Sequence, residues 1–383
     1  MSINEESLSL HKKLNGKLTT ESKMHITSSK DLSLLYTPGV AAPCLEIKDN
    51  PETVYDYTIK ANTIAVVSDG SAVLGLGNIG PEAAMPVMEG KCVLFKEFGD
   101  VNAFPICLDT QDPDKIVEAV CMIAPGLGGI NLEDISAPRC FEIEERLKKR
   151  LNIPVFHDDQ HGTAIVVLAG IINSLKIVKK EKENCKVVIN GAGSAGIAIA
   201  KLLLRYGFKD VTLCDKSGIL SAKSDNLNWM QEKMMKVTNL RGDVGTLSDA
   251  LKCADIFVGV SAPGIVSEEM VASMNDDSIL FAMANPTPEI MPDLAKKAGA
   301  RIIGTGRSDF PNQVNNVIAF PGIFRGALDS HVKNISEEMK LAAADAIANC
   351  VPADKLSDDF ILPLAFDPTV KDAVADAIRN LAR

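Results

Sequence analysis

The sequence predicts an α/β protein: an N-terminal α/β substrate domain, residues 1–160, followed by a Rossmann-type doubly wound parallel-sheet domain with C-terminal helices, residues 161–383. Three observations predict it. The length of 383 residues suits two domains of roughly 100 to 200 residues each. Short β-branched runs alternate with helical patterns, the arrangement that builds layered sheets. A glycine-rich turn joins an apolar run to a helical run early in the second half.

At 46% hydrophobic and 23% charged residues, the composition is that of an ordinary packed protein and opposes disorder. A formal net charge of −10 excludes an extended basic face, so neither nucleic acid nor an anionic membrane surface is expected as a partner. A small molecule is the expected ligand. The nine cysteines are scattered, odd in number and without a C-x-x-C pair, which reads as reduced core residues. Residues 1–28 lack the apolar stretch of a secretory signal, and Ala164–Ile172, the longest clearly apolar run, is far short of the ~20 residues that cross a bilayer. The expected location is cytoplasmic, with no membrane span.

In chain order, residues 1–50 read as short helices and loops broken by the turn Tyr36-Thr37-Pro38-Gly39. Thr63–Val67 is a β-branched run stopped by Asp69-Gly70, a buried strand and its turn. Gly75–Gly80 precedes a helix with Pro81 at its first position, where a missing N–H costs nothing. Phe104–Leu108 reads as a strand and Pro113–Met122 as a helix. Gly162–Lys179 is apolar nearly all round, as a buried connecting helix would be, and Lys179–Asn184 is a solvated charged loop. Beyond it, strands are expected at Lys186–Asn190, Asp210–Cys214, Asp255–Val260, Ser278–Ala284 and Arg301–Gly304.

Between the first two of these strands lies Gly191-Ala192-Gly193-Ser194-Ala195-Gly196, followed by a helical run from Ile197 to Tyr206. In a dinucleotide-binding βαβ unit, Gly191 would allow the tight turn, Gly193 the approach of a pyrophosphate, and Gly196 the close packing of helix on strand, with free N–H groups aimed at phosphate. Asp215, 19 residues after Gly196, stands where a carboxylate binds the adenosine ribose hydroxyls. That favours NAD, while neighbouring Lys216 could meet the 2′-phosphate of NADP. Ser261 and Asn285 fall just beyond strand ends, where such sheets bind ligands. Gly75-Leu76-Gly77-Asn78-Ile79-Gly80 fits the same pattern, and we read it as a close backbone approach because no carboxylate-ended βαβ unit follows it.

Two acidic pairs stand near strand ends, Glu133-Asp134 and Asp158-Asp159. Clustered carboxylates suit Mg²⁺ or Mn²⁺, although each pair alone is better explained as a helix cap or a surface charge. His157 and His161 lack further His or Cys at zinc spacing and read as structural.

Tyr36-Thr37-Pro38-Gly39-Val40, Ser68-Asp69-Gly70 to Gly80, Glu89-Gly90-Lys91, Asn131 to Ser136, His157 to Thr163, Asn285-Pro286-Thr287 and Asn315-Asn316-Val317 together resemble the malic enzyme family in its short form. The resemblance runs from about Leu34 to Gly322. It implies oxidative decarboxylation of L-malate to pyruvate and CO₂ with NAD or NADP and Mg²⁺ or Mn²⁺. It also implies Glu133, Asp134 and Asp159 as metal ligands, Lys91 as general base, Tyr36 as general acid, Asp158 as the acid that tunes the base, and Asn285 and Asn316 as holding substrate carboxylate or nicotinamide. Lysine is ordinarily protonated at neutral pH, so the base role leads us to expect a depressed Lys91 pKa. Larger family members carry an arginine where this chain has Ala72, so carboxylate recognition must come partly from elsewhere. A homodimer is expected, dimers being the commonest oligomers. Two other readings are a metal-independent amino-acid dehydrogenase, which also pairs an α/β domain with a Rossmann domain, and a catalytically silent nucleotide-sensing module.

Overall fold

A computed structural model describes residues 2–382. Four helices open the chain, α1 (Ile3–Leu14), α2 (Ser29–Leu35), α3 (Ala41–Asp49) and α4 (Val54–Tyr57), and none buries a residue. Ser2 and Ser28 start the first two by accepting from backbone N–H groups of the first turn.

The first sheet contains β1 (Thr63–Ser68), β2 (Asn102–Cys107), β3 (Gly129–Leu132) and β4 (Val155–His157), all parallel, in the order β2-β1-β3-β4. Its crossovers are α5 (Pro81–Gly99), α6 (Pro113–Ile123) and α7 (Arg139–Arg150). Every residue of β1 is buried, as expected of a parallel strand covered on both faces. The carboxyl ends of β3 and β4 release Glu133-Asp134 and Asp158-Asp159 at one edge of the sheet.

Helix α8 (Asp158–Val178) leaves β4 without a loop. It begins four residues before the start expected at Gly162, so Asp158 and Asp159 occupy its first turn, where the helix dipole favours negative charge. Gly162 therefore sits inside the helix, where a Cβ would collide with the Asp158 carboxylate. By length and composition α8 could cross a bilayer, which the shorter apolar run read from the sequence could not. It is instead a core helix, packed between α9 (Ser194–Tyr206) and α15 (Glu337–Asn349).

The second sheet runs β10-β9-β8-β5-β6-β7, with β5 (Lys186–Asn190), β6 (Asp210–Asp215), β7 (Gly218–Ile219), β8 (Ile256–Gly259), β9 (Ile279–Ala282) and β10 (Ile302–Thr305). All pairs are parallel except β6 with the short β7. Strand order reverses between β5 and β8, the crevice where open α/β sheets bind ligands. Helices α10 (Trp229–Met235), α11 (Leu247–Leu251), α12 (Glu268–Ala272) and α13 (Pro292–Lys297) connect the later strands.

The chain then returns to the first sheet. On α14 (Phe320–Asp329), Phe320 and Phe324 pack on Phe95 of α5 with ring centroids 4.6 and 5.2 Å apart, and α16 (Pro368–Leu381) lies against α14. One hydrophobic core consequently joins both sheets, and the boundary expected at 160/161 falls in the first turn of a helix that belongs to that core.

Candidate active site

Four elements meet at the carboxyl end of the first sheet. Lys91 from the middle of α5 places Nζ 2.6 Å from Asp158 Oδ2 and 2.8 Å from Glu133 Oε1. Asn316, in the turn before α14, donates Nδ2–H to the same Asp158 oxygen at 2.7 Å. Phe320 closes the pocket behind the lysine, its ring centroid 4.3 Å from Nζ. Lys91, Glu133 and Asp158 are all buried, so this triad of charges is held out of water.

Glu133, Asp134 and Asp159 bring one carboxylate oxygen each to within 4.8 Å of one another. Asp134 adopts φ +54°, a left-handed conformation unfavourable for a non-glycine residue. Its N–H donates to Asp159 Oδ2 at 2.7 Å, and its carbonyl accepts from Ala72 N–H at 3.0 Å, so both neighbours hold the turn. Asn131 donates to the other oxygen of Glu133 at 2.8 Å and fixes its rotation. Hard oxygen donors at this spacing fit Mg²⁺ or Mn²⁺ rather than zinc. Glu133 is pushed up by burial, Asp159 is raised to about 6 by burial and by Asp158, and Asp158 is raised to about 7 by burial and by Glu133, against the pull of Lys91. Carboxylates that repel one another in a buried pocket are a charge arrangement that a cation relieves.

The depressed Lys91 pKa expected from its role is not found in these surroundings. Burial alone would lower it, but Asp158 and Glu133 outweigh burial and hold the ammonium above the ordinary lysine range. Positive charge bound by Glu133 would cancel part of that attraction.

In the second sheet, Gly191 has φ +114°, and a Cβ there would collide with the Val260 carbonyl. A Cβ on Gly196 would likewise strike the Gly191 carbonyl oxygen. Both glycines are required by the fold itself. Gly193 differs: at φ −93° as the N-cap of α9, its Cβ would meet nothing within 4 Å, so open space lies where a pyrophosphate would approach. Ser194, Ala195 and Gly196 form the first turn of α9, and Asp215 ends β6 with Oδ1 accepting from Ser217 N–H at 2.7 Å.

Ser261 follows β8 at the switch point and accepts from Asn190 Nδ2–H at 2.8 Å. The sequence reading passed over Glu289, whose buried carboxylate accepts from Ser261 N–H at 2.9 Å and Ala284 N–H at 3.0 Å. It ties together the two loops that carry Ser261 and Asn285. Its place two residues past the Asn285-Pro286-Thr287 segment was the available signal. Asn285 is exposed, and its carbonyl faces Gly75 of the first glycine cluster, where a Cβ would approach it to 2.6 Å. The close approach expected within the first domain is made at Gly80, whose carbonyl a Cβ on Gly70 would strike, while Gly75 makes an approach to the second domain that the sequence did not show.

Tyr36 does not join this group. It is the C-cap of α2, is 66% exposed, and its hydroxyl makes no hydrogen bond among the described residues. Proximity to a rigid Pro-Gly corner fixes a side chain relative to that corner only, and the corner itself lies on the helices that bury nothing.

A family model for the malic enzyme N-terminal domain matches residues 15–148, and one for the malic enzyme NAD binding domain matches residues 160–379. The chain belongs to the malic enzyme family. It is 58% identical over 383 residues to the bifunctional malic/malolactic enzyme of Bacillus subtilis, covering all of this chain and 93% of that one. The NAD-dependent malic enzyme of Geobacillus stearothermophilus is 54% identical over 382 residues, 100% of this chain and 79% of its own length. Among solved structures, the NAD-dependent malic enzyme of Thermotoga maritima superposes with a TM-score of 0.94 at 48% identity over 97% of this chain and 98% of that one. The fold of this malic enzyme is therefore the fold of the family.

Proposed function

We propose that the chain oxidises and decarboxylates L-malate to pyruvate and CO₂, with NAD or NADP as hydride acceptor and Mg²⁺ or Mn²⁺ as the resident metal. The observation that carries this is the buried contact of Lys91 with Asp158 and Glu133 beside the three-carboxylate cluster. Glu133, Asp134 and Asp159 would hold the cation, and the loop Gly191–Gly196 with Asp215 the dinucleotide. When bound, the nicotinamide accepts hydride from C2 of malate, and the cation polarises the C2 oxygen and carries charge as CO₂ departs.

With a cation on Glu133 weakening its hold, the Lys91 ammonium would first give up a proton to solvent; the neutral amine would then take the proton of the C2 hydroxyl, and Asp158, which accepts from Nζ, would stabilise the ammonium that re-forms. Asn316 fixes the Asp158 oxygen that does this and, with Asn285, orients the substrate carboxylate. Asp215 disfavours a 2′-phosphate by repulsion, so NAD is the cofactor we favour. Tyr36 would supply the proton to C3, which requires the exposed face of α1 to α4 to be covered. Leu8, Leu34, Leu45 and Tyr36 are exposed there, and a homodimer that buries them is the arrangement we propose. We place the enzyme in the cytoplasm, consistent with nine free thiols.

The test is a spectrophotometric assay of malate with NAD and NADP, with chelator and with Mn²⁺ restored. Metal-independent turnover of an amino acid would favour the dehydrogenase alternative. Cofactor binding without turnover of malate or oxaloacetate would favour a sensing module. Light scattering at dilute protein concentration tests the dimer.

A further inference from the structure

A polar chain leads away from the carboxylate cluster to a second pocket lined by Glu144, Lys148, Gln160, His161 and Lys340. Glu144 of α7 lies at its centre, accepting from His161 Nε2–H at 2.8 Å and paired with Lys148 Nζ at 2.7 Å. Lys340 of α15 donates to His161 Nδ1 at 3.1 Å, which leaves the His161 proton on Nε2, facing Glu144. The carboxylate is therefore an acceptor on every side. Gln160 Nε2 lies 3.4 Å from Glu144 Oε2 and 2.9 Å from His157 Nδ1.

That pair of distances sets the tautomer of His157. Only the NH₂ of Gln160 can face an acceptor-only carboxylate, and the same NH₂ then donates to His157 Nδ1. The proton of His157 is left on Nε2. The ring is fully buried, Nε2 has no hydrogen-bond partner among the described residues, and Asp159 Oδ2 stands 3.4 Å from it. The backbone N–H of His157 also reaches Glu144 Oε1 at 3.4 Å, so one carboxylate holds both the main chain and, through Gln160, the ring.

We propose that His157 is a positioning residue for the cation ligand Asp159, its Nε2–H presented to the Asp159 carboxylate by Gln160 and Glu144. The inference rests on the cation reading above. A donor behind a ligating carboxylate fixes the direction of its lone pairs, and loss of such a partner typically weakens metal affinity ~10- to 100-fold. The geometry also accounts for the segment His157-Asp158-Asp159-Gln160-His161: the two acids face the site, the side chains of Gln160 and His161 face Glu144, and the His157 ring stands between Gln160 and Asp159.

The experiment measures Mn²⁺ binding directly, by the electron paramagnetic resonance of free Mn²⁺, on the full chain without substrate. His157→Leu should weaken binding ~10- to 100-fold while the dissociation constant for NAD stays within about twofold. His157→Gln, whose amide nitrogen can stand where Nε2 stood, should recover most of the loss. Gln160→Met removes the group that sets the tautomer and should weaken Mn²⁺ by a smaller factor. It also serves if His157→Leu fails to fold, and nitrogen NMR of wild-type His157 should show Nε2 protonated and Nδ1 bare. Equal Mn²⁺ affinity in a folded His157→Leu or Gln160→Met, or a proton found on Nδ1, overturns the proposal alone. Wild-type protein that binds no Mn²⁺ removes the cation reading and this inference with it.

Discussion

Substituting Gly193 with valine separates what the glycine loop does for the fold from what it does for the ligand. A Cβ at Gly193 meets no atom within 4 Å, and φ −93° is open to any residue. The folded protein should lose at most about 1 kcal/mol, the cost of a poor N-cap on α9. A bound pyrophosphate would meet the same Cβ and the branches beyond it, and would be displaced from the free N–H groups of the first turn. Each hydrogen bond to a charged group is worth about 1.5 to 3 kcal/mol, so losing two costs roughly 3 to 6 kcal/mol, or ~10²- to 10⁴-fold in affinity. Titration of NAD by calorimetry, with thermal unfolding of the apoprotein beside it, reads both quantities. Gly77→Val is the control. Its Cβ also meets nothing within 4 Å, but φ +75° makes the change strained for the fold while the dinucleotide crevice is untouched. NAD binding lost in a folded Gly77→Val and retained in Gly193→Val would show that the ligand occupies the other loop.

Lys91→Ala should lower kcat ~10²- to 10⁴-fold, the usual contribution of a positioned base, and because Nζ competes for Glu133 Oε1, Mn²⁺ affinity should hold or rise; near-normal turnover would remove the base role. Asp159→Ala should weaken Mn²⁺ at least ~10-fold with cofactor affinity preserved, and normal rates without metal would refute the ligand assignment. Tyr36→Phe should suppress exchange of pyruvate methyl protons with solvent deuterium, measured with metal and reduced cofactor present, while malate still binds; unchanged exchange would return Tyr36 to an ordinary surface aromatic. Glu144 is held well below the usual carboxylate range, since His161 and Lys148 outweigh the raising effect of burial. Its folded pKa being the lower one, its stabilising contribution is complete above about pH 4.5 and is lost as pH falls through the folded value, so Glu144→Gln should lose less stability than wild type in urea titrations between pH 6 and 3.

The sequence carried the second domain more openly than the first because β5 and β6, five and six residues long, flank a glycine-rich loop and a helix in the βαβ pattern. Strand β3 is four residues and β4 three, too short to show a period, and α7, Arg139–Arg150, is so charged that its buried stripe of Cys140, Ile143, Glu144 and Leu147 is interrupted by an acid. The start of α8 was hidden for a related reason: Gly162 resembles a helix boundary, yet it is glycine because the Asp158 carboxylate passes beside it. Residue types in the site were legible while their pairings were not. Nothing in the spacing of Lys91, Glu133 and Asp158 says that one ammonium bridges two carboxylates, because that bridge needs α5 packed on β1 and β2 and the ends of β3 and β4 beside it to bring three distant segments together.

That bridge bears on how the proposed base would work. A lysine made basic by burial alone would stand among apolar neighbours, and here Phe320 is the apolar wall on one side only. On the other side, Asp158 and Glu133 favour the ammonium, so the lowering effect of burial on Lys91 is opposed and exceeded by two carboxylates. Glu133 is the group that both the ammonium and a cation would claim, and whichever holds it decides how strongly Lys91 keeps its proton. If Lys91 is the base, a cation on Glu133 would weaken the hold on its proton, so Lys91→Ala and metal removal should both slow hydroxyl deprotonation.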